Sequence, residues 1–328
     1  IRTNILADTD ALYLTAIDKY GHELWRWTFP VEKLNQQSEP ISFLSIRPTY
    51  TETENDLIVK ANKRTFIFSK KDGQLKGVSV DNRKISFANG PRFIGARRAD
   101  RSLDQFYNHD DEKAKEKDRT YSEFPDAAVF TKLDVKQDGG DLIVTANYKL
   151  GNLDKAQWTI NPSGELALDY TYNFSGVVDL MGIRFDYPED QVISKRWLGA
   201  GPYRVWQNRI HGTQYDVWEN DYNDPIPGET FTYPEFKGYF GDVSWMNIQT
   251  KEGTISLTNE TPDAYIGVYQ PRDGRDRLLY TLPESGISVL NVIPPVRNKV
   301  NSTDLCGPSS QPKWVNGPQT GRVIFRFM

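Results

Sequence analysis

The sequence predicts an all-β protein built as a large antiparallel sandwich, and three observations predict it. Short stretches alternate apolar and polar residues with a period of two, as a strand with one buried face does. Turn formers punctuate those stretches, with 24 glycines and 19 prolines among 328 residues. The chain shows no strand–helix alternation over the roughly 250 residues that a (β/α)8 barrel requires.

The elements follow in order. ALYLTAIDKYGHELWRWTF (11–29) reads as two strands joined at Lys19–His22, where Gly21 can supply a positive φ. Two strands cannot bury a core alone, so this hairpin must pack on another body. Gln36–Asn55 is polar and contains proline, and it reads as a linker between residues 1–35 and a main domain over 56–328. FIFSKKDGQLKGVSV (66–80) is a hairpin with Asp72-Gly73 at its turn. Arg98–Arg119, rich in both charges, reads as a solvated loop or short surface helix. Leu142–Tyr148 and Leu166–Phe174 alternate cleanly, the second placing Leu166, Leu168, Tyr170, Tyr172 and Phe174 on one face. Further short strands are expected at Thr254–Leu257, Ala264–Tyr269, Ile287–Ile293 and Arg322–Phe327.

Composition narrows the partners. Forty basic residues stand against 44 acidic ones, a net charge of -4. No basic face for a nucleic acid follows from that balance. No apolar run approaches the roughly 20 residues that span a bilayer. One cysteine, Cys306, cannot form an internal disulfide, and it reads as a small packed side chain. The triplets at Asn173, Asn259 and Asn301 would matter only in a eukaryotic secretory pathway. The chain starts at Ile1, so its start reads as removed by processing. The compartment is left open, with a periplasmic or secreted location favoured over a cytoplasmic one.

The densest chemistry lies between Arg196 and Trp245, where Trp197, Trp206, Trp218 and Trp245 alternate with tyrosines, arginines and acids. Flat rings beside polar groups suit a sugar, which offers C–H faces and hydroxyls, and composition alone favours a sandwich core over that reading. The sugar-facing candidates are Trp206, Arg209, His211, Trp218 and Asp242. Indoles would stack on a pyranose while Arg209 and Asp242 bond hydroxyl pairs. Trp197 and Trp245 read as core. The acid-rich WENDYNDPIPGE (218–229) offers hard oxygens but not the spacing of a twelve-residue calcium loop, so it reads as a solvated turn. No cofactor motif is present.

Gly199-x-Gly201-Pro202 followed by Trp206 and Arg209 resembles the G-x-G-P-x-E-x-Y-x-D-R signature of family 2 β-galactosidases. Pro234, Gly238, Asp242, Val243 and Trp245 resemble the later P-Q-E-x-G-x-x-x-D-V-R-W signature. Residues 66–93 resemble that domain's opening hairpins, and Asp304-Leu-Cys-Gly-Pro308 resembles its D-S-W-G-P turn. The matches stand in family order over about residues 50–328. Arg204, Trp206, Asn208, Phe236 and Cys306 depart from the pattern, Cys306 standing where the family has a tryptophan that stacks on the sugar.

The resemblance implies a galactose mutarotase-like β-supersandwich, preceded over 1–35 by the last strands of an immunoglobulin-like domain. It implies an oligosaccharide or glycoside substrate, and a catalytic pair of glutamates on an upstream barrel of the same polypeptide. Calcium or magnesium would then belong to the parent enzyme. The chain would supply no catalytic residue of its own. Two other readings stand beside this one. The first is a free-standing carbohydrate-binding module. The second is an independent mutarotase or lyase using His211, with Glu219, Glu235 or Tyr215 as proton partners.

Overall fold

A computed structural model describes residues 9, 11–31, 47–98, 121–221, 238–268, 283, 285–295 and 307–328. Its strands in chain order are β1 (Ala11–Ile17), β2 (Glu23–Pro30), β3 (Thr49–Glu52), β4 (Asp56–Ala61), β5 (Arg64–Ser69), β6 (Leu75–Val80) and β7 (Arg83–Ile85). Then come β8 (Ala88–Arg98), β9 (Tyr121–Glu123), β10 (Val129–Asp138), β11 (Asp141–Lys149), β12 (Leu153–Ile160), β13 (Leu166–Val178) and β14 (Leu180–Asp186). The last are β15 (Val192–Gly201), β16 (Gln214–Asp221), β17 (Trp245–Thr250), β18 (Gly253–Asn259), β19 (Tyr265–Val268), β20 (Ile287–Val292) and β21 (Lys313–Phe327).

Among the described residues these strands form two large antiparallel sheets and a separate hairpin. The nine-stranded sheet runs β10-β11-β12-β13-β21-β18-β17-β15-β16. The second follows the path β19-β20-β14-β8-β6-β5-β4-β3, with β7 paired to β6 and β9 to β8. The fold is the large all-β sandwich that the alternation predicts.

The core lies between the sheets and is dominated by rings. Leu166, Leu168, Tyr170, Tyr172 and Phe174 are all buried, as their period of two requires. Opposite them lie Phe66 and Phe68 of β5, Phe93 of β8 and Phe185 of β14. Phe87 stacks on Phe185 at 4.8 Å between centroids, and Phe325 of β21 meets Phe87 at 5.0 Å. Such offset and tilted pairs add to the area they bury.

A polar latch joins the sheets at one edge. Glu252, in the β17–β18 turn, accepts hydrogen bonds from the Ser86 N–H at 2.8 Å and the Ser86 hydroxyl at 2.7 Å. The Tyr187 hydroxyl donates a third at 2.9 Å. Burial alone would raise the Glu252 carboxyl, but these donors outweigh it and hold the group below its ordinary value. A depressed folded value gives stability that is complete above the unfolded value of about 4.3 and is lost as pH falls through the folded one. Glu252→Gln should therefore lower the urea midpoint at neutral pH. Its difference from the parent should shrink below about pH 4. A difference independent of pH would remove the carboxylate from this account.

Several elements differ from expectation. Thr49–Glu52, within the stretch expected to be a linker, pairs with β4 as β3. The alternation there is too short to stand out among polar neighbours. Glu219 and Asp221, expected in a solvated turn, lie on β16, an edge strand of the nine-stranded sheet. An edge tolerates charge because one of its sides faces solvent. Residues 32–46, 99–120, 222–237 and 296–306 lie outside the described residues. With them go most of the expected linker and charged loop, the rest of the acid-rich run, Glu235, Phe236 and Cys306.

The hairpin 11–30 has two unlike faces. Leu12 opposes Phe29, Leu14 opposes Trp27 and Ala16 opposes Trp25, so one face is entirely apolar. Leu14 remains 57% exposed and Trp25 50%. The opposite face carries Tyr13, Thr15, Arg26 and Thr28, and the Tyr13 hydroxyl donates to Asp216 of β16 at 2.6 Å.

Candidate functional site

The expected sugar-facing residues gather around the end of β15. Gly201 has no room for a side chain, and Gly199 would take one only in tight contact with backbone. A Cβ on Gly199 would stand 3.0 Å from the Gly241 carbonyl, and one on Gly201 would stand 2.4 Å from the Trp218 ring. Gly238 has no room either, since its Cβ would lie 2.2 Å from the Val205 carbonyl oxygen. The signature glycines thus let three backbone segments close on one another. Ala200 N–H donates to Gly241 at 2.9 Å, and Val205 and Tyr239 exchange backbone bonds at 2.8 and 2.9 Å.

The loop after β15 turns sharply at Trp206–Arg209, where Arg209 N–H donates to the Trp206 carbonyl at 2.8 Å. The Gln207 amide ties this turn to the segment before β21, donating to the Ser309 carbonyl at 2.8 Å and the Gln311 carbonyl at 2.7 Å. Asn208 adds a bond to the Ser310 hydroxyl at 3.2 Å.

Each expected site residue has a definite place. Trp206 is only 2% exposed and meets Tyr239 edge-on at 5.8 Å. It fills a small second core with Ile94, Leu180, Leu290 and Ile293 rather than offering a platform. Size and apolar area drew it inward, as they do most indoles. Trp218 is half-buried on β16, its N–H donating to the carbonyls of Gly199 at 3.2 Å and Gln214 at 3.1 Å. Arg209 and His211 are exposed on the loop. Asp242 is exposed beside β15 with φ of 50°, and its charge, after burial, helps raise the neighbouring Tyr265 phenol.

The structure thus brings Arg209, His211, Trp218 and Asp242 to one end of the sandwich and removes Trp206 to the interior. A guanidinium, an imidazole and a carboxylate exposed at one end of a sandwich can exchange hydrogen bonds with a polyol. Of the two tryptophans expected in the core, Trp197 is fully buried and Trp245 is not. Trp245 points to the outer face of β17, and the Arg196 guanidinium lies 5.4 Å from its ring centre. Period-two alternation explains this, because its neighbour Met246 takes the inward position.

The family described as the β-galactosidase small chain matches residues 60–294, a span that includes all of these rim residues. The chain belongs to the β-galactosidase small-chain family. No curated protein matches this small-chain member. Among solved structures it is similar to a galactose 1-epimerase from Lactobacillus acidophilus at 9% identity, over 86% of this chain and 99% of that one, with a TM-score of 0.47. An aldose epimerase homologue from C. elegans is similar at 7% identity, over 86% and 99% of the two chains, with a TM-score of 0.40.

In this small-chain protein, sequence reasoning missed the anchoring role of Gln207 and Asn208. Their partners lie about a hundred positions away, and no spacing rule could have joined them. It also missed that Trp245 is half-buried on the outer face of β17, although its place one residue before Met246-x-Ile248 carried that signal.

Proposed function

We propose that the chain is the C-terminal, non-catalytic part of a family 2 β-galactosidase-like glycoside hydrolase. In this reading it packs against a catalytic barrel of the same enzyme and lends the Arg209–Asp242 rim to the substrate pocket. The observation that carries the reading is the small-chain family match, which runs through the whole rim loop.

Two physical points support it. Retaining hydrolysis needs two carboxyl groups about 5 Å apart, and in the family 2 enzymes that the sequence resembles both come from the barrel. The apolar face of the hairpin, with Leu12, Leu14, Trp25, Trp27 and Phe29 exposed, is the kind of surface that another domain covers.

The test is kinetic and uses the assembled enzyme. Arg209→Ala and Asp242→Ala should each raise KM for nitrophenyl β-galactoside by about tenfold, the loss of one charged hydrogen bond, with kcat little changed. Unchanged KM in both variants would take the rim out of the pocket.

A further inference from the structure

The outer face of the nine-stranded sheet carries a cleft of about 310 Å³ over β12, β13 and β21, three to five strands away from β15. At a strand spacing of about 4.8 Å, that is roughly 14–24 Å across the sheet from the rim. Its walls are Lys155, Asp169, Thr171, Glu260, Thr320 and Arg322. None of these residues belongs to the motifs that marked the rim.

Strand pairing assembles the cleft. Lys155 of β12 opposes Thr171 of β13, and Thr171 opposes Thr320 of β21, so three polar side chains stand in one row. In the next row Asp169 opposes Arg322. Arg322 is held from two sides, its Nη1 donating to Asp169 at 2.5 Å and its Nε to Glu260 at 3.0 Å. A guanidinium has five N–H groups, so this clamp fixes its plane and leaves further donors to face a ligand. Each carboxylate likewise keeps acceptor sites in reserve. The Lys155 ammonium makes no hydrogen bond or ion pair with another described residue.

The charges select the ligand class. Two cations and two anions line one small cleft, which leaves no net field to draw an anion or a cation. Fixed donors, fixed acceptors and two hydroxyls suit a neutral molecule that both gives and takes hydrogen bonds. The volume lies at the lower end for ligand sites and suits one sugar ring.

We propose that this cleft is a second carbohydrate subsite that binds a single neutral pyranose through Lys155, Asp169, Thr171, Thr320 and Arg322. Polar contacts on an open face give a weak site, with Kd of about 1 mM. Its chemistry stands whether or not the rim serves a hydrolase.

Site-resolved NMR tests it. The chain, labelled at threonine methyls, is titrated with methyl β-galactopyranoside and with methyl β-glucopyranoside to about 20 mM. The Thr171 and Thr320 methyls should shift and saturate with at least one of these sugars. Lys155→Ala should weaken that binding by about fivefold while leaving the thermal midpoint in place. Shifts confined to Thr213 of the rim loop would overturn the second subsite and leave the rim reading standing. Silence at all three threonines, or saturation at Thr171 and Thr320 that ignores Lys155→Ala, would overturn it as well.

Discussion

Replacing Phe185 with alanine should destabilise the sandwich by about 3–5 kcal/mol, the cost of emptying a buried ring site that cannot collapse. Phe185 sits on β14 between β8 and β20, and it is fully buried. It touches rings from both sheets, with Phe87 at 4.8 Å, Phe325 at 5.3 Å and Trp158 at 6.1 Å. Removing it would leave three aromatic neighbours facing a void, and the strands on either side are held by their own ladders. Calorimetry should show a fall in Tm of about 10 °C. A fall of only a degree or two would mean that the sheets do not meet through these rings.

The second large effect comes from the opposite error, too much volume. A Cβ on Gly90 would stand 2.2 Å from the Phe185 ring and 2.8 Å from the Arg184 carbonyl oxygen. Gly90→Ala should therefore cost about 1–3 kcal/mol through overpacking. The double variant with Phe185→Ala should be less unstable than the sum of the two, because the new methyl then enters the vacated space. Urea titrations of the four proteins measure that coupling, expected at about 0.5–3 kcal/mol. Strict additivity would mean that the methyl and the ring never compete for one volume.

How much of this was legible in the sequence depends on what kind of signal each part carries. The Leu166–Phe174 part of β13 declared itself because one of its faces carries only leucines and aromatic rings and the other only polar or small residues. The β5–β6 hairpin did so through the glycine at position 73, whose φ of 74° the chain needs to turn back. β14, by contrast, has five of its seven residues buried, Leu180–Ile183 in an unbroken run at both faces, which erases the alternation. Central strands lose their period when both faces are covered.

The site was legible in its glycines and illegible in its rings. Gly199 and Gly238 stand at close backbone approaches and Gly201 against the Trp218 ring, and that is a property a motif can carry. Whether Trp206 faces water or a second core is decided by Ile94, Leu180 and Leu290, which are distant in sequence. The cleft on the sheet face was hidden for the same reason. Asp169 and Arg322 are 153 positions apart and meet only because β13 pairs with β21. The one local hint was the polar register of β13, with Asp169 and Thr171 alternating against the buried tyrosines.

The most direct measurement is an assay of this chain by itself. Purified and incubated with nitrophenyl β-galactoside, it should release no nitrophenol above the buffer rate, since the proposed function assigns the acid pair to a barrel outside this chain. Steady release that a lone His211→Asn or Glu219→Gln substitution abolishes would place the reaction centre inside these strands and contradict the account.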